Sequence, residues 1–273
     1  MAVPSSGWNS SPSKEEEDKV DDDMGESEHT YLIFDPAVSP HFELVLFLQK
    51  FSIDDEVGVH TYSSETRAWT DRGSERGQSE EGGESQQLGS FGAVASTLGS
   101  AFVNGMLHLT VYHIQRDREL IVAIDGEGKT RRVICWPEDR ACCWSEPAFV
   151  GQSQGRLHCM SEHLEGNSAW ITFWVLQDYD TQEWVMKHSI SSLQLFGKSK
   201  CLVQFDYSVV GIHPDRNLVF IVQRSDRKLM SYDMDSKEVH ALHTLEGGYE
   251  FITPYVPYFS ESTGFTSVES IAR

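Results

Sequence analysis

Basic residues are scarce in this sequence. Its 22 lysines and arginines stand against 42 aspartates and glutamates, a formal net charge of −20 over 273 residues. Nucleic-acid binding needs cations that displace phosphate counterions, so this balance argues against it. It argues equally against docking on an anionic membrane surface. Cysteine is sparse too: there are five, with Cys142 and Cys143 adjacent and no C-x-x-C pair. Neither zinc-site spacing nor an even disulfide framework is left, so free thiols in a reducing cytoplasmic or nuclear compartment are expected. No apolar run approaches the ~20 residues that span a bilayer, and the N-terminus has no apolar signal region. Helical periodicity is also missing, because no window of a dozen residues keeps a 3.6-residue repeat. A short helix within His188–Phe196 ("HSISSLQLF") is the one exception expected.

What is present falls into three parts. Residues 1–29 hold nine acidic and two basic residues with almost no large apolar side chain except Trp8. Such a stretch buries too little surface to offset its ordering entropy, and a disordered acidic tail is expected. Residues 30–262 carry the apolar content, interrupted at 71–89 by the polar, glycine-rich "DRGSERGQSEEGGESQQLG", read as a long surface loop. Residues 263–273 form a C-terminal tail. Within the folded part, runs of about five residues rich in β-branched and aromatic side chains alternate with turn residues. "FELVLFL", "VGVHTY", "MLHLTVY", "LIVAI", "WITFWVL", "LVFIVQ" and "KLMSYDM" are examples. The chain reads as all-β.

An internal repeat organises these strands. "SAFVNGMLH" (Ser100 to His108) lines up with "EPAFVGQSQGRLH" (Glu146 to His158), and their G-x-L-H elements lie 50 residues apart. A degraded third copy is "SVVGIHPDRNLVFI" (Ser208 to Ile221). Each copy is followed by a strand, a polar turn and another strand. "VGVHTYSSETRAWTD" before the first copy has the same shape. A unit of about 50 residues and four antiparallel strands is the signature of a β-propeller blade, which cannot cover its own faces and must stack on neighbours. About four blades fit, so a small or partial propeller is expected.

Several motifs invite chemistry. Gly151-Gln152-Ser153-Gln154-Gly155 matches the G-x-S-x-G nucleophile elbow, but an elbow needs a helix after the serine. The repeat instead aligns these five residues with the Asn104-Gly105 hairpin turn, and strand-like "RLHC" follows. "DGEGKT" (Asp125 to Thr130) ends like a phosphate loop, but Ala123 stands where the first glycine belongs, so a hairpin tip is expected. "HPD" (His213 to Asp215) sits between strands, where Pro-Asp is turn chemistry. His108, His158, Cys159 and His163 raise a metal reading. Adjacent strand residues point to opposite faces, so His158 and Cys159 would need a bulge to share an ion. Trp69, Trp136, Trp170, Trp174 and Trp184 lie in strand-like runs and suit blade packing better than a sugar platform. No catalytic, metal or cofactor-binding residue is assigned, and no cofactor is expected.

The ordered words "YLIFDPAVSPHFELVLF", "VHTYSSETRAWTDRG", "SAFVNGMLHL", "WVLQDYDTQEWVMKHSISSL", "YSVVGIHPDRNLVFIV…KLMSYDMDSKEVHAL" and "FITPYVPYFSES" resemble the domain that follows the F-box in the grass-type plant F-box proteins. The resemblance covers residues 31–262. It implies a kelch-like propeller that recruits target proteins to a Skp1–cullin–F-box ubiquitin ligase. Residues 1–29 contain no apolar helix to serve as an F-box, so a module without its Skp1-docking element is expected. The kelch Gly-Gly doublet is displaced, with Gly82-Gly83 and Gly247-Gly248 falling elsewhere. The leading expectation is a protein-interaction module that is not an enzyme and binds an unidentified target through loops and turns, with aromatic or arginine anchors. The alternatives are an enzyme or carbohydrate-binding propeller that uses Ser153 or the tryptophans, and a truncated product with exposed strand edges.

Overall fold

The computed structural model describes residues 26–35, 38–50, 56–71, 93–113, 118–137, 145–199, 201–203, 205–246 and 252. The rest of the expected acidic tail, the polar loop beyond Asp71, Cys142, Cys143, both glycine doublets and the C-terminal tail lie outside the described residues. Four four-stranded antiparallel sheets make up the fold, each a meander of consecutive strands. The first holds β1 (Glu26–Ile33), β2 (Glu43–Lys50), β3 (Glu56–Ser63) and β4 (Ala68–Asp71). Strand β1 thus begins inside the stretch read as a tail. The second holds β5 (Ser100–Val103), β6 (Met106–His113), β7 (Arg118–Ile124) and β8 (Thr130–Cys135). Next come β9 (Ser145–Ser153), β10 (Arg156–Glu165), β11 (Ser168–Asp178) and β12 (Glu183–Ser191). The last holds β13 (Tyr207–Ile212), β14 (Leu218–Gln223), β15 (Lys228–Asp233) and β16 (Glu238–Thr244). These are the four blades of a β-propeller, as the repeat predicts.

The blades stack on the apolar faces they turn to one another. Along β6, Leu107, Leu109 and Val111 join Val45, Phe47 and Val59 of the first blade. The alternate residue His108 points the other way, towards the third blade. Between the second and third blades the core is Ala101, Val103, Ile121 and Ile134 against Val150, Leu157 and Leu176. Between the third and fourth it is Met160, Ile171 and Phe173 against Tyr207, Val209, Val219, Ile221 and Tyr232. Central strands buried on both faces explain the continuous apolar run of β7, where only alternation on one face would be needed in a two-layer protein.

Meandering puts two kinds of connection at opposite ends of the stack. The turns after the first and third strands of each blade lie at one end. The turns after the second strands, and the blade-to-blade connectors, lie at the other. At the first end, every third-to-fourth-strand turn opens on the same device. The side-chain oxygens of Ser63, Asp125, Asp178 and Asp233 accept the backbone N–H two residues on, at 3.3, 3.0, 2.8 and 2.8 Å. A left-handed residue closes each turn: Arg67, Gly128, Gln182 and Lys237. These turns pin blade register locally.

The 151–155 expectation needs correction. Strand β9 runs through Ser153, and the reversal takes only Gln154 (φ 52°) and Gly155 (φ 68°), just as Asn104 (φ 54°) and Gly105 (φ 73°) reverse the second blade. Both are two-residue turns with positive φ at each centre. The two "AFV" words are therefore three residues out of structural register; the G-x-L-H words are the true equivalents. The predicted helix is there but shorter. His188–Ser191 finish β12, and α1 (Ser192–Phe196) follows, started by a Ser191–Gln194 capping box and ended by left-handed Gly197.

Candidate functional site

At the connector end, the chain from α1 to β13 makes a compact loop held at several points. The Leu202 N–H donates to the Asp206 carboxylate at 2.9 Å, and the Asp206 N–H returns to the Leu202 carbonyl at 2.8 Å. The Arg224 N–H, from the β14–β15 turn, donates to the Asp206 carbonyl at 2.8 Å. Below them lies a buried carboxylate. Glu162 of β10 accepts the Val203 N–H at 2.8 Å and the Tyr207 hydroxyl at 2.7 Å through one oxygen. Burial raises the Glu162 pKa, the two donors pull it back, and Glu146 and Asp206 push it up again. Burial and the facing carboxylate hold the Tyr207 phenol protonated. A half-satisfied carboxylate here would be costly, so this pair fixes the loop to the third blade.

The loop so fixed shows apolar side chains to solvent. Phe205 is 79% exposed, with Leu193 of α1 at 55% and Leu202 at 37%. The same loop and the β14–β15 turn bonded to it carry the exposed cations Lys198, Arg224, Arg227 and Lys228, and Lys198 reaches the Ser225 hydroxyl at 3.2 Å. An aromatic residue on a preorganised loop loses little further entropy on binding, the property of a protein–protein anchor.

The residues singled out in the sequence lie elsewhere. Ser153 is buried in β9, its hydroxyl donating to the His213 carbonyl at 2.8 Å, and strand β10 follows it. Asp125 to Thr130 form the β7–β8 turn, with Asp125 also accepting the Lys129 N–H at 2.9 Å. In "HPD", the Asp215 N–H donates to the His213 ring at 3.1 Å within the β13–β14 turn. His108 and His158 are separated into different seams between blades. Burial brings both down to about 4, so each is neutral at physiological pH. Trp174 donates to the Ser161 hydroxyl at 3.0 Å and Trp184 to the Cys135 carbonyl at 2.9 Å. Trp69 packs on Tyr62, ring centroids 5.3 Å apart. The Phe205 loop was not singled out. "CLVQFDY" carries one weak signal, an aromatic residue beside the Asp206 turn residue, which does not distinguish an exposed ring from a buried one.

Four antiparallel blades with an exposed apolar loop at the connector end define a β-propeller. Residues 35–253 match the family described as F-box protein At3g26010-like, beta-propeller, and the chain belongs to it. No curated protein matches the chain. Among solved structures, Zg3597, a family 117 glycoside hydrolase of the marine bacterium Zobellia galactanivorans, is 9% identical with a TM-score of 0.48, over 85% of this chain and 73% of that one. MPT-4, a mannose phosphorylase from Leishmania mexicana, is 12% identical with a TM-score of 0.35, over 77% and 64%. A glycosyl hydrolase from Bacteroides ovatus is 11% identical with a TM-score of 0.31, over 73% and 60%. These neighbours correct one expectation from the sequence, that the chain is not an enzyme. A fold does not fix a function, so a β-propeller architecture gives no ground for ruling out catalysis.

Proposed function

We propose that the chain is a protein-interaction module that recruits target proteins, acting as the recruiting half of a Skp1–cullin–F-box ubiquitin ligase. Attachment to the ligase would be the task of an F-box. The observation that carries the reading is membership of the F-box-protein propeller family. The connector-end loop, pinned by Glu162 and Asp206 and presenting Phe205 to solvent, supports it. The excess of acidic residues fits partners other than nucleic acid and anionic membranes, and the free Cys135, Cys159 and Cys201 fit a cytoplasmic or nuclear setting.

Proximity labelling from the tagged full chain in its own cells tests this. A small reproducible set of labelled proteins is expected, with ubiquitylation of some of them falling when the chain is depleted. A labelled set no different from that of an unrelated protein of equal charge would defeat the proposal.

A further inference from the structure

The loop carries a charge pattern opposite to that of the chain as a whole. Among the described residues of 197–206 and 224–228, Lys198, Arg224, Arg227 and Lys228 are exposed cations. The two acids there are Asp206 and Asp226, with exposed Glu246 next to Leu245, whose N–H donates to the Arg227 carbonyl at 2.8 Å, and the Asp206 carboxylate already accepts the Leu202 N–H. A chain of net charge −20 thus gathers four exposed cations on the loop that carries an exposed phenylalanine and on the turn bonded to it. The ring cannot retreat cheaply, because the backbone on either side is tied to Glu162, Leu202 and Arg224. An apolar anchor with cations on the same loop and turn selects a partner by both area and charge.

We propose that this loop is the target-reading site, and that it takes an acidic segment of a partner protein bearing an apolar residue. The apolar residue of the partner packs on Phe205 and Leu202, and its flanking carboxylates meet Lys198, Arg224 and Arg227. Long-range attraction to these cations steers the segment in despite the net negative charge elsewhere, and that steering weakens with salt. The inference rests on the reading of the chain as a recruiting module and names the chemistry of what it recruits.

A display library of random dodecapeptides selected on the full chain tests it. Enrichment of peptides with two or more Asp or Glu residues around a Leu, Ile or Phe is expected. Binding of a synthetic peptide of that consensus should fall at least tenfold in Phe205→Ser. The pair Lys198→Glu and Arg224→Glu should shift selection towards basic peptides. Both side chains are exposed, so unfolding does not confuse the result, and an unchanged melting temperature verifies this. Enrichment of basic sequences, no enrichment, or equal binding by Phe205→Ser overturns the proposal. So does tighter binding by a synthetic peptide of residues 13–28, which would make the chain's own acidic segment the occupant, or a dimer that Phe205→Ser dissolves. If Phe205→Ser leaves the proximity-labelled proteins unchanged, this inference fails and the recruiting function survives.

Discussion

His108 and His158 hold the same strand position fifty residues apart, yet they sit in seams of different chemistry. Between the second and third blades, His108 lies within 3.1 Å of the Met106 carbonyl through Nδ1 and 2.7 Å of the Tyr179 hydroxyl through Nε2. The carbonyl can only accept, so Nδ1 carries the proton and the Tyr179 hydroxyl donates to Nε2. Arg132 then stacks over the Tyr179 ring at 4.7 Å and pairs with Asp180 at 2.9 Å. Gln182 and Trp184 cover the free edge of β8, accepting from the Cys135 N–H at 3.2 Å and donating to the Val133 and Cys135 carbonyls, both at 2.9 Å. Between the third and fourth blades, Nε2 of His158 is buried with no partner. Met234 follows Asp233 there as Tyr179 follows Asp178. That seam closes on rings, with Tyr232 stacked on His188 at 5.6 Å and near Phe173 at 6.1 Å, and on the Glu162–Tyr207 pair. Turn geometry repeats from blade to blade; what fills the seams does not.

The largest effect should come from the third–fourth seam. Glu162→Ala strips the acceptor from the Tyr207 hydroxyl and the Val203 N–H, both buried, and should cost about 3 kcal/mol. Urea denaturation at pH 7 measures it, and a cost below ~1 kcal/mol would remove the carboxylate from any structural role. Tyr207→Phe, which leaves Glu162 one donor, should cost roughly half as much.

The two histidines come next. Each titrates near 4 in the folded chain, against 6.5 for the free side chain, because burial disfavours the imidazolium. The unfolded chain binds more protons between those values. Stability is therefore complete above ~6.5 and falls as pH drops towards 4, by up to about 3 kcal/mol per histidine. His158→Leu should flatten that slope and lose at pH 7 only the ring's hydrogen bond to the Ser153 backbone. His108→Leu should flatten it too but lose more stability at pH 7, since the Tyr179 hydroxyl is stranded. Equal behaviour of the two variants across a pH series of melts would erase the distinction between the seams.

Tyr179→Phe should cost about 1 kcal/mol, the worth of one buried hydrogen bond. A matching Met234→Tyr variant sharpens the comparison: it should recover part of that amount by giving Nε2 of His158 the partner it lacks. The smallest effect concerns the paired turns. Asn104→Gln puts a less tolerant residue at positive φ and should cost about 0.5 kcal/mol, bringing the second blade's turn to the composition of the third.

Blade number and strand order were legible because strand runs and turn residues are local signals. The Ser63, Asp125, Asp178 and Asp233 turns need only residues within five positions of one another, and they recur with the blades. The shift of the "AFV" words was not legible: β9 extends three residues further than the repeat implied, since Gly151 to Ser153 are as compatible with strand as with turn. The candidate site was less legible still. Leu193, Lys198, Leu202, Phe205 and Arg224 come from a helix, a connector and a turn that sequence order leaves up to 31 residues apart. Their common placement depends on Glu162 from yet another strand.

The sequence by itself determined an all-β chain of about four repeating blades, since period, turn chemistry and apolar runs are written within each unit. Tertiary structure alone decided which histidine finds a hydroxyl, which serine hydroxyl caps a distant carbonyl, and which aromatic ring stays in water. Those outcomes are set by contacts between blades, and a side chain's partner across a seam lies some 40 to 70 residues away, beyond the reach of any local pattern.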